Sequence, residues 1–132
     1  MALQVELVSP ERILFSGEAD MVIARTAGGD IAFLSGHAPF VGALGIGRVR
    51  IQTPDGREEV AAVHGGFVEV KDNRVIILSD VAELASQIDV ERAREAARRA
   101  EERLRMEHDV EVEAALRRAH VRLEAAGASA TA

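Results

Sequence analysis

Along the first eighty-odd residues the apolar positions recur with a period close to two. "LQVELV" sets Leu3, Val5 and Leu7 against Gln4 and Glu6, and "RVRIQT" sets Val49 and Ile51 against Arg48, Arg50 and Gln52. "FVEV" and "RVIIL" are rich in β-branched residues. Such alternation buries one face of a pleated strand and wets the other. Turn chemistry separates these runs: Ser9-Pro10, Ser16-Gly17, Gly28-Gly29, "TPDG" at 53 to 56, and Asp72-Asn73. Turn signals roughly every ten residues predict a small sandwich or barrel of about eight to ten antiparallel strands.

From Ser86 the period becomes helical. Ser86 or Asp89 caps a first helix, along which Ala93, Ala96, Ala97, Ala100 and Leu104 recur at spacings of three and four. "MEHD" interrupts the pattern. Asp109 then caps a second helix with the stripe Val112, Leu116, Ala119, Leu123 and Ala126, and Gly127 stops it. Helices joined so closely fold back as an antiparallel hairpin or stand as one nearly continuous rod. The domain expectation is therefore a β unit over 1–84 and an α-helical unit over 85–132. Composition agrees: all four Phe, all three Pro and ten of the eleven Gly precede residue 68, and residues 88 to 126 contain none of these types.

An alanine seam lets two backbones approach closely, yet each buried methyl contributes only about 0.8 kcal/mol. Ordering a residue costs about as much, so the hairpin is expected to be stable by a narrow margin and able to change place. Its charges suggest an effector. In an antiparallel pairing Arg92 lies opposite residues near 123 and Arg99 opposite residues near 117, which gathers Arg92, Arg99, Arg118 and Arg122. Guanidinium groups that converge are stabilised by an anion between them, and their planar fork suits phosphate oxygens. The alternative is a solvated face on which Glu95, Glu102 and other acids neutralise the arginines.

Charge and composition narrow the classes. A net charge of −6 argues against a nucleic-acid partner, which requires a basic excess. There is no Cys, hence no disulfide framework or thiolate chemistry. No apolar run is long enough for a membrane span, and "MALQVELVSPER" lacks the features of a signal peptide, so the expectation is a cytoplasmic chain without direct membrane insertion. No GxxxxGK[ST] loop occurs, and "GALGIG" lacks dinucleotide-site spacing. The four His (37, 64, 108 and 120) show no paired metal-ligand spacing, and Ser35 with His37 has no third group to form a triad. The chain is expected not to be an enzyme by itself.

"VSPERILFSGEADMVIARTAGGDIAFLSGHAPFVGAL", "GGFVEV", "VIILSDVAEL" and "IDVERA", taken together and in this order, resemble the epsilon subunit of the bacterial rotary F-type ATP synthase over Val5 to Leu123. The resemblance implies a ten-stranded β-sandwich followed by a two-helix hairpin. It also implies a non-catalytic rotor part clamped on the gamma subunit and standing on the c-subunit ring, peripheral at the cytoplasmic face of the membrane. In that family the helices extend toward the catalytic beta and alpha subunits to block hydrolysis, or fold down to permit turnover. The segment "GDIAFLSGHAPF" is implied to lie at the ring end, with Asp30 and His37 as ring contacts. "IDVERA" is similar to the IDxxRA element with which some epsilon subunits bind ATP. It implies Ile88, Asp89, Arg92 and Ala93, with Glu83 upstream and Arg118 and Arg122 on the second helix; Arg99 joins them by spacing. ATP would be a regulator, not a required cofactor. The rival reading is a free-standing sandwich adaptor with a coiled-coil arm.

Overall fold

A computed structural model describes residues 2–107 and 109–128; His108, expected at the joint between the helices, lies outside the described residues. Eight strands precede two helices: β1 (Leu3–Val8), β2 (Ile13–Ala19), β3 (Met21–Thr26), β4 (Gly29–Leu34), β5 (Phe40–Gln52), β6 (Glu58–Lys71), β7 (Arg74–Leu78) and β8 (Ala82–Leu84). A single 3₁₀ turn, Ala85–Gln87, leads to α1 (Val90–Met106) and α2 (Val110–Ala125).

Two long strands tie the sandwich together. β5 and β6 pair along their length, in the order β2-β1-β7-β6-β5-β3-β4, with β8 also on β6. Residues 67–71 of β6 pair with β7, and residues 61–63 pair with β8. Each long strand thus serves both layers; eight strands lie within the eight to ten that the turn spacing suggests, and counting each half of β5 and β6 separately gives the ten that the resemblance implies. Gly45, Gly65 and Gly66 lie where the long strands pass from one layer to the other. Pairing is also not wholly antiparallel, because β1 runs parallel to β7, Val5 opposite Val75. Strands so far apart in sequence leave no local signal of their relative direction.

Period-two burial gives one core, in which Leu3, Val5, Leu7, Val22, Phe33, Val49, Ile51, Val63, Val68, Val70, Val75 and Ile77 are excluded from solvent. Asp72 and Asn73 both adopt positive φ, 51° and 59°, giving the two-residue turn whose twist matches the flanking strands. Gly66 has φ 122° and passes so close to β7 that a Cβ there would lie 2.1 Å from the Leu78 carbonyl oxygen.

Asp89, not Ser86, caps α1, its side chain accepting from Arg92 N at 3.1 Å. Ser86 falls within the 3₁₀ turn. Asp109 caps α2 by accepting from Glu111 N at 2.9 Å. The helices form the antiparallel hairpin rather than a rod, with Ala93, Ala97, Ala119 and Leu123 in the seam. α2 carries a second apolar face: Val121 and Ala125 rest on Ala62 of β6, with Ile46, Val60 and Ile88 beside them. α1 therefore lies outside, held mainly by α2, while α2 rests on β5 and β6.

Candidate functional site

The alternation of "AAVHGG" in β6 sends Ala61 and Val63 into the sandwich core and Ala62 toward α2. His64 is in phase with Ala62. Its side chain is 3% exposed, and neither ring nitrogen has a hydrogen-bond partner among the described residues. Nε2 lies 3.6 Å from Glu83 Oε1, beyond hydrogen-bonding reach. Glu83, carried on β8 beside β6, instead accepts from Arg122 Nε of α2 at 2.5 Å, with both side chains about 30% exposed. This ion pair joins the sheet to the helical arm. Burial, and after it the charge of Arg122, lowers the pKa of His64, with Arg118 acting in the same direction and Glu83 opposing.

Of the eight residues expected around ATP, the folded arm brings Glu83, Arg118 and Arg122 to one place, around His64. Ile88 is half-buried against the Ala62, Val121 and Ala125 cluster beside it. Asp89 is engaged as the α1 cap. Ala93 is 4% exposed in the helix seam, so its methyl is closed to a ligand while the hairpin is folded. Arg92 and Arg99 are exposed on α1. The guanidinium groups of Arg92, Arg99 and Arg118 have no ion-pair partner among the described residues. The solvated-face alternative holds for other arginines of α1: Arg94 pairs with Glu91 at 2.6 Å, and Arg98 pairs with Glu95 and Glu102.

A groove of about 830 Å³ runs between the Ala27–Gly29 turn, β5 and α2, but none of these eight residues lines it. Three of its arginines are already paired: Arg25 with Asp30 at 3.4 Å, Arg48 with Glu124 at 3.7 Å and Arg50 with Glu58 at 2.9 Å. The fourth, Arg117, lines the groove on the α2 side. Among the described residues no group of three or more His, Asp or Glu is placed to hold a metal ion.

Asp30 and His37 do not share a loop. Asp30 is the second residue of β4 and is exposed beside Arg25, whereas His37 follows the strand's far end. Four residue steps of strand carry the chain from Asp30 to Leu34, about 13 Å. The segment around His37 is firmly held. Asn73 Oδ1 accepts from Gly36 N at 2.7 Å, and the His37 ring meets Phe33 and Phe40 edge-on with centroids 5.1 and 6.3 Å away. His37 Nδ1 donates to the Ala38 carbonyl at 2.7 Å, which leaves Nε2 for another partner.

Two features lie outside the residues singled out by sequence. His64 is one; its signal was a polar residue inside an apolar strand run, in phase with Ala62. The other is an apolar patch in which Phe67 and Leu78, 60% and 52% exposed, face each other across β6 and β7 beside a hollow of about 480 Å³.

Two family models match the chain: the ATP synthase delta/epsilon chain beta-sandwich domain over residues 2–85, and the delta/epsilon chain long alpha-helix domain over residues 86–127. Relatives named ATP synthase epsilon chain include that of Streptomyces avermitilis, 48% identical over 126 residues and covering 96% of both chains. That of Symbiobacterium thermophilum is 48% identical over 131 residues, covering 96% of this chain and 94% of its own. That of Desulforamulus reducens is 46% identical over 127 residues, covering 93% and 96%. Among solved structures, a chain of the Euglena gracilis mitochondrial ATP synthase (OSCP/F1/c-ring) has a TM-score of 0.73 at 22% identity, covering 93% of this chain and 76% of that one. A chain of the Tetrahymena thermophila mitochondrial ATP synthase central stalk and c-ring has 0.57 at 14%, covering 96% and 97%. At such identities these two likenesses concern the fold alone. The sandwich followed by a long-helix domain, matched in order along nearly the whole chain, places the protein in the ATP synthase epsilon chain family.

Proposed function

We propose that this chain is a non-catalytic subunit of the central stalk of a rotary F-type ATP synthase, and that its helical arm restrains ATP hydrolysis. It works peripherally at the cytoplasmic face of the membrane, and no described helix is long and apolar enough to cross one. The sandwich joins gamma to the c ring. The Phe67–Leu78 patch seats gamma: it is apolar, exposed and carried on paired strands, Phe67 within β6 opposite Leu78 at the end of β7. The His37 segment, with exposed Leu34 beside it, meets the ring, and Asp30 takes part only if its exposed pair with Arg25 exchanges for a ring partner, a small cost.

One observation carries the regulatory reading. The arm is held by a slender seam and, on the sandwich side, mainly by α2, with Glu83–Arg122 as its closer polar tie and the more exposed Arg48–Glu124 pair at 3.7 Å beside it. ATP is the regulatory ligand. Its phosphates add anionic charge where Arg118 stands unpaired beside Arg122, and draw in Arg92 and Arg99 from α1, so binding favours the folded arm. The extended arm reaches the beta and alpha subunits.

Deleting residues 88 to 132 and measuring ATPase activity in the reconstituted complex tests the restraint. Higher hydrolysis without the arm is expected, and equal activity rejects the proposal. For the nucleotide, millimolar ATP is expected to raise the melting temperature of the full chain, and Arg92→Ala to abolish that rise; a response unchanged in the variant refutes the site.

A further inference from the structure

We propose that His64 is a proton-operated latch: protonation of its buried ring, beneath α2 and beside the Glu83–Arg122 tie, drives the helical arm off the sheet. The inference rests on the movable-arm reading and adds a second input to it. With the arm folded, the ring is shut between β6, β8 and α2, at 3% exposure and without a hydrogen bond at either nitrogen. The groups facing it are few. From β5 its neighbour in register is apolar Ile46, from the chain entering β8 comes the Val81 carbonyl, bonded to the His64 amide at 3.0 Å, from β8 comes Glu83, and from α2 come Arg118 and Arg122.

An imidazolium in this space carries two N–H donors and a positive charge against two guanidinium groups and one carboxylate, which Arg122 already holds. Two responses relieve the conflict. The arm lifts, so that water solvates the ring, or Glu83 turns to His64 and releases Arg122, which cuts the tie between β8 and α2. Both loosen α2. The sign follows from burial, which lowers the pKa of His64 while the arm is docked; the undocked ring returns toward the ordinary value near 6.5. Docking is therefore fully supported above about pH 6.5 and weakens as the pH falls below it, by up to about tenfold in the undocked population for each unit.

The absence of Cys permits a direct test on the full chain. Ala125→Cys places one thiol under α2, where the native side chain is 6% exposed, and Ser86→Cys provides an exposed reference for the pH dependence of the thiol itself. Corrected in this way, labelling of the thiol under α2 is expected to rise, by up to about tenfold, between about pH 8 and pH 5.5. Adding His64→Gln removes the rise, while His120→Gln retains it. Should Ala125→Cys weaken the fold, NMR titration of the His64 ring in the unsubstituted chain gives the same answer: a midpoint below that of free histidine supports the latch. Labelling that occurs but ignores pH, or a rise that survives His64→Gln, overturns the latch and leaves the movable arm standing. A thiol protected at every pH, with and without gamma, overturns both.

Discussion

Leu123→Ala separates the arm from its platform energetically. Leu123 is 1% exposed and the only large side chain among the four buried residues of the helix seam. The substitution removes three carbons, worth about 2.4 kcal/mol of burial at about 0.8 kcal/mol each, with a cavity term added because the seam relaxes only partly. That loss equals the burial of the three alanine methyls that complete the seam. It falls on α1, whose buried residues Ala93, Ala97 and Ala100 offer nothing larger. α2 keeps Val121 and Ala125 on Ala62. Amide hydrogen exchange should accelerate about fiftyfold in residues 90 to 106, less in α2, and hardly at all at Val22, Val68 or Ile77 of the sandwich core. Equal acceleration in helices and sandwich would mean that the chain unfolds as one unit, and the argument for a detachable arm would fail. Less than a threefold change in α1 would refute the energetic reading of the seam.

Gly66→Ala should lower stability to urea by about 3 kcal/mol or more, since the new Cβ meets the Leu78 carbonyl at 2.1 Å in a backbone of positive φ; Gly45→Ala, with open space and no positive φ, is the control, and equal midpoints would refute the clash. Phe67→Asp should abolish co-purification with gamma while leaving the melting temperature nearly unchanged, because the ring is 60% exposed; retained assembly moves the gamma seat elsewhere. Asp89→Ala should cost α1 about 1 kcal/mol and speed its first-turn exchange about fivefold, whereas Asp89→Asn keeps the cap and the protection; parallel behaviour of the two would show that the carboxylate acts by its charge.

What the sequence displayed was local. Strands and helices were legible because their periods differ, and Asp72-Asn73, Asp89 and Asp109 were legible because each supplies a backbone need on the spot. The stripe Val112, Ala119 and Leu123 was also readable as a helix face. Pairings across the fold were not. Gly45, Gly65 and Gly66 carry no local sign that β5 and β6 run on through them, because glycine has the same composition signature in a turn and in a strand that crosses between layers. The parallel neighbour of β1 arrives almost seventy residues later. At the site, helical spacing disclosed Arg118 and Arg122, but not that they turn toward the sheet. His64 had no period to belong to, and its meaning comes from α2 lying over it.

That placement of α2 decides how the arm is controlled. The chain leaves the sandwich through residues 85 to 89 into α1, yet it is the distal helix, α2, that rests on the sheet. Detaching α1 from α2 frays the arm without freeing it, since Val121, Ala125 and Arg122 still hold to β6 and β8. Detaching α2 from the sheet frees everything beyond residue 88 at once, whether or not the seam survives. An effector at the seam alone would therefore modulate helix order, and one at Glu83, His64 and Arg122 acts on release itself. The nucleotide proposed for Arg118 and Arg122 and the proton proposed for His64 act on the same small set of charges. Each should change the response to the other: ATP, by adding negative charge near the ring, is expected to raise the pKa of His64, and acidification to strengthen ATP binding wherever the arm stays folded. Titrating the His64 ring with and without ATP measures that coupling, and identical midpoints would refute a shared site.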